Sequence, residues 1–262
     1  MPDLYARDGT RLALHDFGGS GAPVLLLPGL CGHAGEWSAT VSGLTGAYHG
    51  YALDPRGHGD SERRPTDVSR DAHVADTAAA LGLLGPAVVI GQSLGGHTAF
   101  LTAARHPELV TGLVLIEAGP QGPDDGTPDR IDRWLGEWPV PFPDQATAAR
   151  HLGGGLVGSA WASGLRRRDD GWYPAFDRDV MVATIAAAAP RWDEFARISC
   201  PTLVVRGGAG SLDADEYARM SRHPMVTAVE IPGGGHDVHL DSPERWRKEL
   251  ADFLARLGSA GS

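Results

Sequence analysis

The sequence predicts an α/β fold, in which a mostly parallel β-sheet is flanked by helices and carries an inserted helical cap. Short apolar runs alternate with amphipathic helical stretches and the links between them are short, which is the pattern of a parallel α/β sheet. Between residues 119 and 190 this alternation stops, and Pro, Gly, Trp and acidic residues accumulate. We therefore predict a core of residues 1–118 and 191–262, and a helical cap of residues 119–190 without a core of its own.

Composition narrows the functional classes. A chain of 262 residues with 42% hydrophobic and 21% charged residues has the size and balance of a globular domain with an insertion. The formal net charge of −10 disfavours nucleic-acid binding. Cys31 and Cys200 match no metal or redox spacing, so we expect free thiols. Because the sequence shows no signal-peptide or membrane-helix pattern, we expect a cytoplasmic protein with no membrane partner.

Four strand-like runs open the chain. A turn at residues 8–10 joins the first two into a predicted hairpin. Pro23–Leu27 is continuously apolar, as expected for a strand that is buried on both faces of a parallel sheet. Glu36–Thr45 predicts a helix. The four runs are Leu4–Arg7, Arg11–Phe17, Pro23–Leu27 and Tyr51–Leu53.

The later core elements continue the rhythm. Ser69 is the predicted N-cap of an amphipathic helix that extends to Leu84. The further core strands are Val88–Ile90, Leu113–Ile116, Thr202–Val205 and Ala228–Ile231, and the further core helices are Thr98–Arg105, Asp213–Arg222 and Pro243–Leu257. The predicted cap helices are Arg130–Trp138, Asp144–Leu152 and Asp179–Ala188. The charge run of residues 166–170 predicts a solvated bend.

The segment Gly91-Gln92-Ser93-Leu94-Gly95 lies between a β-branched run and a helical stretch. Its G-x-S-x-G spacing is that of a nucleophile elbow. Glycine is required at both ends because strand and helix approach so closely that a Cβ would collide. The strained turn exposes the Ser93 hydroxyl, and the free N–H groups of the helix start can bind a developing oxyanion. The alternative interpretation is a glycine-rich turn with an incidental serine.

Four motifs follow the third, fourth, fifth and last predicted strands. They are Pro28-Gly29, the segment from Asp54 to Ser61 (Asp-Pro-Arg-Gly-His-Gly-Asp-Ser), the segment Gly91–Gly95, and the segment from Gly233 to Glu244. In this order they resemble the α/β-hydrolase superfamily over nearly the whole chain apart from the cap. The resemblance implies an eight-stranded, mostly parallel sheet and a catalytic triad with a serine nucleophile. We interpret the Asp54–Ser61 motif as structural, a tight turn held by an arginine and an aspartate.

The predicted base is His236, because a serine hydroxyl needs an adjacent base and this histidine follows the last strand and a glycine-rich loop. It also matches the histidine loop of the superfamily. Five other histidines stand in weaker contexts, within tight backbone motifs, before prolines at helix ends or past the motif position. They are His58, His97, His106, His223 and His239.

The acid departs from the commonest pattern of the superfamily. Many relatives carry an aspartate after the seventh strand, but the matching position is Ser211, which cannot stabilise an imidazolium by charge. Glu117 ends the sixth strand, where haloalkane dehalogenases and certain lactonases of this superfamily have their acid. We predict Glu117 as the acid, with Asp213 and Asp215 as alternatives. The structural interpretation of Glu117 is a cap-hinge residue bonded to the backbone.

The resemblance also implies an oxyanion hole of two backbone N–H groups. One belongs to Leu94, directly after the nucleophile. The other maps to Leu30, in a loop where Pro28 replaces the usual histidine. Because the donor is a backbone group, this replacement leaves the donor itself in place.

These residues predict a serine hydrolase that cleaves a small, fairly apolar carboxylic ester or lactone through an acyl-enzyme, without a metal or organic cofactor. The alternatives are an acyltransferase, thioesterase or perhydrolase with the same acyl-enzyme, a C–C bond hydrolase, and a hydrolase-like scaffold that binds a small ligand. Five tryptophans either line a pocket between core and cap or pack as ordinary core. They are Trp37, Trp134, Trp138, Trp161 and Trp172.

Overall fold

Ten strands form two sheets within residues 4–44 and 46–260, the part of the chain that the computed structural model describes. The strands are β1 (Leu4–Tyr5), β2 (Arg11–Gly19), β3 (Ala22–Leu27), β4 (Tyr48–Asp54), β5 (Ala87–Gln92), β6 (Val110–Ile116), β7 (Arg166–Arg168), β8 (Gly171–Tyr173), β9 (Thr202–Gly207) and β10 (Val226–Ile231). The main sheet has eight strands in the order β1-β2-β4-β3-β5-β6-β9-β10. Strand β2 pairs antiparallel with β1 and β4, and every later neighbouring pair is parallel. The predicted eight-stranded, mostly parallel sheet is confirmed.

Helices connect these strands. They are α1 (Ser38–Val41), α2 (Arg70–Leu84), α3 (Ser93–Arg105), α4 (Thr127–Gly136), α5 (Gln145–His151), α6 (Gly155–Ser163), α7 (Arg178–Ala186), α8 (Trp192–Phe195), α9 (Ala214–Met220), α10 (Val238–Asp241) and α11 (Pro243–Ala260). None of the helices within the described ranges is long and apolar enough to cross a membrane. Ser69 caps α2 as predicted, because its hydroxyl accepts the Ala72 N–H at 3.2 Å.

The prediction of one continuous helix over Glu36–Thr45 is wrong. A 3₁₀ turn at Ala34–Trp37 comes first, and α1 then ends at Val41. The His33 side chain accepts the Gly35 N–H and so starts the 3₁₀ turn before the predicted helix begins. Thr45 lies outside the described residues.

The central strands are buried on both faces. Leu25 and Leu27 of β3 pack in a cluster with α2 and α3, whereas Val24 and Leu26 pack in a second cluster with α11. Each face of the strand therefore meets a different helical layer. This two-sided burial explains why the run is continuously apolar instead of alternating.

The segment between β6 and β9 differs from its prediction in two respects. The charge run is not a solvated bend: its arginines form β7, which pairs with β8 in a hairpin, and the Arg168 guanidinium lies 4.4 Å from the Tyr173 ring centroid. The segment also has a core of its own, contrary to prediction. Trp138, Phe142 and Met181 are 7%, 0% and 0% exposed in one cluster. Aromatic side chains spaced along several short elements bury enough surface to make this small core.

The loop after β4 has the structural role expected of the Asp54–Ser61 motif. Asp54 accepts the backbone N–H groups of Ala34 and Asp60 at 2.6 and 2.8 Å. Arg56 donates to both carboxylate oxygens of Asp76 at 2.7 and 2.6 Å, and both side chains are 2% exposed. A two-oxygen pair of this kind fixes the direction of the guanidinium as well as its charge.

We expect Asp76→Ala to lower the free energy of unfolding by about 3–5 kcal/mol, because it leaves the buried Arg56 charge without its main partner. Chemical denaturation measures the change. Asp132→Ala is the matched control: it breaks the exposed pair with Arg178, for which about 0–1 kcal/mol is expected. Equal losses in the two variants would contradict the role given to Asp76.

Candidate active site

Strand β5 passes directly into α3 at Ser93, whose backbone φ is +50°. A Cβ on Gly91 would lie 2.5 Å from the Gly95 carbonyl oxygen, and one on Gly95 would lie 2.3 Å from the Leu27 carbonyl oxygen. Neither position can accept a side chain without a backbone shift. The strained serine at the tip of a sharp strand-to-helix turn is the geometry of a nucleophile elbow.

The loop after β3 lies against this elbow. A Cβ on Gly29 would be 3.2 Å from the Ser93 Cβ and 2.1 Å from Gln92 Oε1. Cys31, in the same loop, has φ +66°. Leu30 directly follows Gly29 in this loop, and Leu94 directly follows Ser93 in the first turn of α3.

Glu117 follows β6 and is fully buried, and its φ is +48°. Its carboxylate accepts the backbone N–H groups of Gly207 and Leu212 at 2.6 and 2.9 Å, and that of Ser211 at 2.5 Å. Its Oε2 lies 3.5 Å from His236 Nδ1. Burial opposes the charge of Glu117, but the bonds from His236 and these N–H groups outweigh it and lower the pKa of the carboxyl group. An anion is thus stable beside His236.

Ser211 has a part in the site that the sequence analysis did not give it. Its Oγ lies 2.7 Å from His236 Nδ1 and 3.4 Å from Glu117 Oε2, so the hydroxyl stands between imidazole and carboxylate. His236 Nδ1 thus faces a near hydroxyl and a more distant carboxylate. The available signal was positional: Ser211 occupies the place where many relatives carry the acid itself.

The alternative acids lie elsewhere. Asp213 caps α9, where its Oδ1 accepts the N–H groups of Asp215 and Glu216 at 2.9 and 3.0 Å. Asp215 lies in the first turn of that helix. Both aspartates thus occupy positions at a helix start, where a carboxylate is favoured because it accepts free backbone N–H groups and complements the helix dipole.

Three of the other histidines are buried in packing contacts. His58 Nδ1 donates to the Arg56 carbonyl at 2.9 Å, and His97 Nε2 donates to the Ala189 carbonyl at 3.2 Å. The His239 ring stacks on Trp37, with 4.3 Å between centroids. Their positions fit the structural interpretation of these residues.

The sequence analysis missed a hydrogen-bonded link through Asp237. Gln92 Nε2 donates to the His236 carbonyl at 3.1 Å and to Asp237 Oδ1 at 3.4 Å. The second oxygen of Asp237 accepts the Trp161 indole N–H at 3.3 Å. Asp237 thus joins the elbow, the histidine loop and helix α6. The sequence offered one signal for this link, because Gln92 directly precedes Ser93 and Asp237 directly follows His236.

The tryptophans divide between packing and the site. Trp37 is fully buried core, and Trp172 belongs to the β7–β8 hairpin. The remaining three form an edge-to-face group, with centroid distances of 5.2 to 6.3 Å between Trp134, Trp138 and Trp161. Through Trp161 this aromatic group contacts Asp237 of the histidine loop.

One group of side chains has metal-ligand character within the described ranges. It consists of His15, Asp54 and Asp60, whose ligand atoms lie within 4.8 Å of one another. Asp54 is already bonded to His15 and to two backbone N–H groups, and Asp60 pairs with Arg166 at 2.6 Å. Their oxygens serve the loop structure.

Comparison with known proteins agrees with this geometry. The model of the alpha/beta hydrolase family matches residues 24–249. The chain belongs to this family. It is 34% identical to the N-formylmaleamate deformylase of Pseudomonas putida over 94% of each chain. It is 29% identical to an esterase of Mycobacterium tuberculosis, over 93% of this chain and 86% of that protein.

A solved structure gives the same result for this alpha/beta hydrolase. The crystal structure of an E-2-(acetamidomethylene)succinate hydrolase superimposes with a TM-score of 0.87 and 25% identity, covering 97% of this chain and 99% of that one. The fold and the hydrolase character of the family member are therefore established.

We expect Glu117→Gln to destabilise the hydrolase most at neutral pH. The folded-state pKa of Glu117 is lowered from 4.5, so its contribution to stability is full above that value and is lost as the pH falls through the folded pKa. The difference in unfolding free energy between wild type and variant should therefore shrink on acidification, as measured by denaturation at a series of pH values.

Glu216→Gln is the matched control, because burial raises the pKa of Glu216. On acidification, the unfolding free energy of wild type should rise relative to that of Glu216→Gln, which is the opposite direction to the Glu117 variant. A pH-independent difference for Glu117→Gln would contradict the charged, bonded state assigned to Glu117.

Proposed function

We propose that this alpha/beta hydrolase cleaves a small, fairly apolar carboxylic ester or lactone through an acyl-enzyme on Ser93. The observation that carries the proposal is the buried Glu117 carboxylate, held by three backbone N–H groups and facing His236 Nδ1 at 3.5 Å. A charge in this position can orient the imidazole and stabilise its protonated form.

In the first half of the reaction, the Ser93 hydroxyl oxygen attacks the substrate carbonyl carbon while His236 takes the hydroxyl proton. The N–H groups of Leu30 and Leu94 stabilise the negative oxygen of the tetrahedral intermediate, a contribution worth roughly 10²–10³ in rate for each donor. The intermediate collapses, the carbon–oxygen bond to the alcohol breaks, and the imidazolium returns its proton to the leaving oxygen.

In the second half, water attacks the acyl carbon and gives a proton to His236. The Ser93–acyl bond breaks, the carboxylic acid leaves, and Ser93 regains its proton. Glu117 stays ionised throughout. The Ser211 oxygen accepts the Nδ1 proton, and the Ser211 hydroxyl donates to Glu117 Oε2. The Glu117 charge therefore acts on the imidazole both directly and through this hydroxyl.

We propose that residues 119–190 act as a cap that sets substrate size and polarity. Trp134 is 40% exposed, and Trp161 is bonded to Asp237 beside His236. An indole surface binds apolar groups through area burial and ring contacts. This favours apolar acyl or alcohol portions over charged ones.

Cleavage of an N-formyl amide is the second candidate function. The observation that favours it is the 34% identity to N-formylmaleamate deformylase over 94% of each chain. The same serine, histidine and acid would act, with a nitrogen in place of oxygen as the leaving atom. Acyl transfer, in which another nucleophile replaces water, uses the same intermediate. A panel of p-nitrophenyl esters, lactones, thioesters and N-formyl amides separates these reactions.

We expect Ser93→Ala to abolish turnover and labelling by a fluorophosphonate probe while leaving the unfolding midpoint close to that of wild type. Glu117→Gln should lower turnover by roughly 10²–10⁴-fold, because the imidazolium loses its counter-charge. Asp213→Asn, which changes only the α9 cap, is the control and should retain turnover. Full activity in Ser93→Ala would remove the nucleophile assignment, and the reverse order of the two acid variants would move the acid to Asp213.

We expect substitutions in the Asp237 link to affect kcat and KM differently. Asp237→Ala removes the bonds from Gln92 and Trp161 to this carboxylate but keeps the bond from Gln92 to the His236 carbonyl. It should lower kcat by about 10–100-fold through misplacement of His236. Trp161→Phe removes only the cap bond and should raise KM without a comparable fall in kcat. Trp172→Phe, the same change outside the link, should alter neither constant. Unchanged kinetics in Asp237→Ala would show that the link has no part in turnover.

A further inference from the structure

Glu36 is a second buried acid at the candidate site, and the mechanism proposed above does not use it. Its side chain is 4% exposed, and it belongs to the 3₁₀ turn that follows the loop after β3. The carboxyl group packs against this loop, because a Cβ on Gly32 would be 2.9 Å from Glu36 Oε2 and 3.0 Å from the Pro28 Cβ. Glu36 therefore supports the loop that carries Leu30, the proposed oxyanion donor.

His239, in α10, faces Glu36 from the histidine loop. Its Nε2 lies 3.7 Å from Glu36 Oε1, and its side chain is 0% exposed. The His239 ring stacks on Trp37, and both ring nitrogens are buried without a hydrogen-bond partner. The Glu36–His239 contact thus joins the loop after β3 to the loop that carries His236.

The two buried glutamates of the site have opposite surroundings. Three backbone N–H groups donate to Glu117 and help to keep it charged. Burial is the largest effect on Glu36, and the charges of Asp237 and Asp54 act in the same direction. The N–H group and the ring of His33 offset only part of this, so the pKa of Glu36 is raised to about 8. Helix α6, which also packs against this 3₁₀ turn, carries no ionisable side chain.

His239 is uncharged at neutral pH. Burial is the largest effect on it and lowers its pKa to about 4; the charge of His236 acts in the same direction, whereas Asp237 and Asp241 act against it. A neutral imidazole has one N–H donor and one lone pair, and a protonated carboxyl group has one O–H donor. The proton on Glu36 can therefore point to a lone pair on His239 Nε2, and neither side chain then carries a buried charge.

An ionised Glu36 would add a second buried negative charge to the site. The tetrahedral intermediate proposed above has its own negative oxygen at the Leu30 and Leu94 N–H groups. Like charges in a buried site repel each other more strongly than in water, and the proton on Glu36 removes this repulsion. Two acids whose surroundings drive their pKa values apart are typical of enzyme sites in which one acid is charged and the other is neutral.

We propose that Glu36 is a positioning residue that supports the loop of Leu30 as a neutral carboxylic acid, with its proton directed to His239 Nε2. The proposal rests on the function proposed for Ser93 and deepens it. Glu117 supplies the negative charge beside the imidazole of His236, and the protonated Glu36 keeps a further negative charge away from the oxyanion.

The pH dependence of Ser93 labelling by a fluorophosphonate tests this role without knowledge of the substrate. In wild type, the second-order rate constant should fall above about pH 8 as Glu36 loses its proton. The fall should be about tenfold for each further pH unit, as for a single ionisation. Glu36→Gln keeps the shape and a neutral donor, so it should retain the rate at neutral pH and lose the alkaline fall.

Two further variants separate this role from packing alone. Glu36→Ala removes the donor to His239 and should lower the rate constant at neutral pH by about tenfold through misplacement of the loop, a loss that Glu36→Gln should not show. Glu216→Gln is the matched control, because burial also raises the pKa of Glu216. It should keep both the neutral rate and the alkaline fall of wild type.

Carbon-13 NMR of wild type with labelled glutamate carboxyl groups decides the protonation state even if Glu36→Gln does not fold. A carboxyl signal that titrates at about pH 8 and persists in Glu216→Gln supports the proposal. Glutamate signals that all titrate below about pH 6, or an alkaline fall in labelling that survives Glu36→Gln, would overturn it. A wild type that is not labelled at any pH would instead remove the function proposed for Ser93, and with it the role of Glu36 in that function, while NMR would still report the proton on Glu36.

Discussion

The candidate site depends on one electrostatic contact, in which the edge of β9 and the loop after it hold the Glu117 carboxylate. Three backbone N–H groups converge on this charge, and a Cβ on Gly210 would lie 2.3 Å from its Cδ. Without these donors a buried carboxylate would take up a proton and lose its effect on His236. The backbone at the end of β9 thereby keeps Glu117, at the end of the neighbouring strand β6, in its charged form.

The parallel sheet explains why the other parts meet there. The chain segments after β3, β5, β6, β9 and β10 all leave the same edge of the sheet. They therefore bring the Pro28–Leu30 loop, Ser93, Glu117, Ser211 and His236 to that edge. In the described part of the chain, the non-glycine residues with left-handed φ are Cys31, Ser93 and Glu117. Backbone strain is thus confined to the loops that carry the site, and the buried sheet supports it.

The segment between β6 and β9 adds its own constraints to this edge. It packs around Phe142 and Met181, so it has a defined shape over the site. Asp237 ties it to the histidine loop through Trp161, and to the elbow through Gln92. Asp237 is therefore a direct contact between α6 and the loop that carries His236.

The sequence by itself determined the sheet, the elbow, and the choice of His236 and Glu117 as the candidate base and acid. The strand alternation and the elbow rest on local patterns, namely continuous apolar runs and glycines at fixed spacing. The number of strands and the choice of His236 and Glu117 also rest on the resemblance to the α/β-hydrolase superfamily. Only the tertiary structure decided that Ser211 stands between His236 and Glu117, that Asp237 binds Trp161, and that Glu36 faces His239. Each of these contacts joins residues that no short-range pattern relates, because distance along the chain says nothing about which loops a folded sheet brings together.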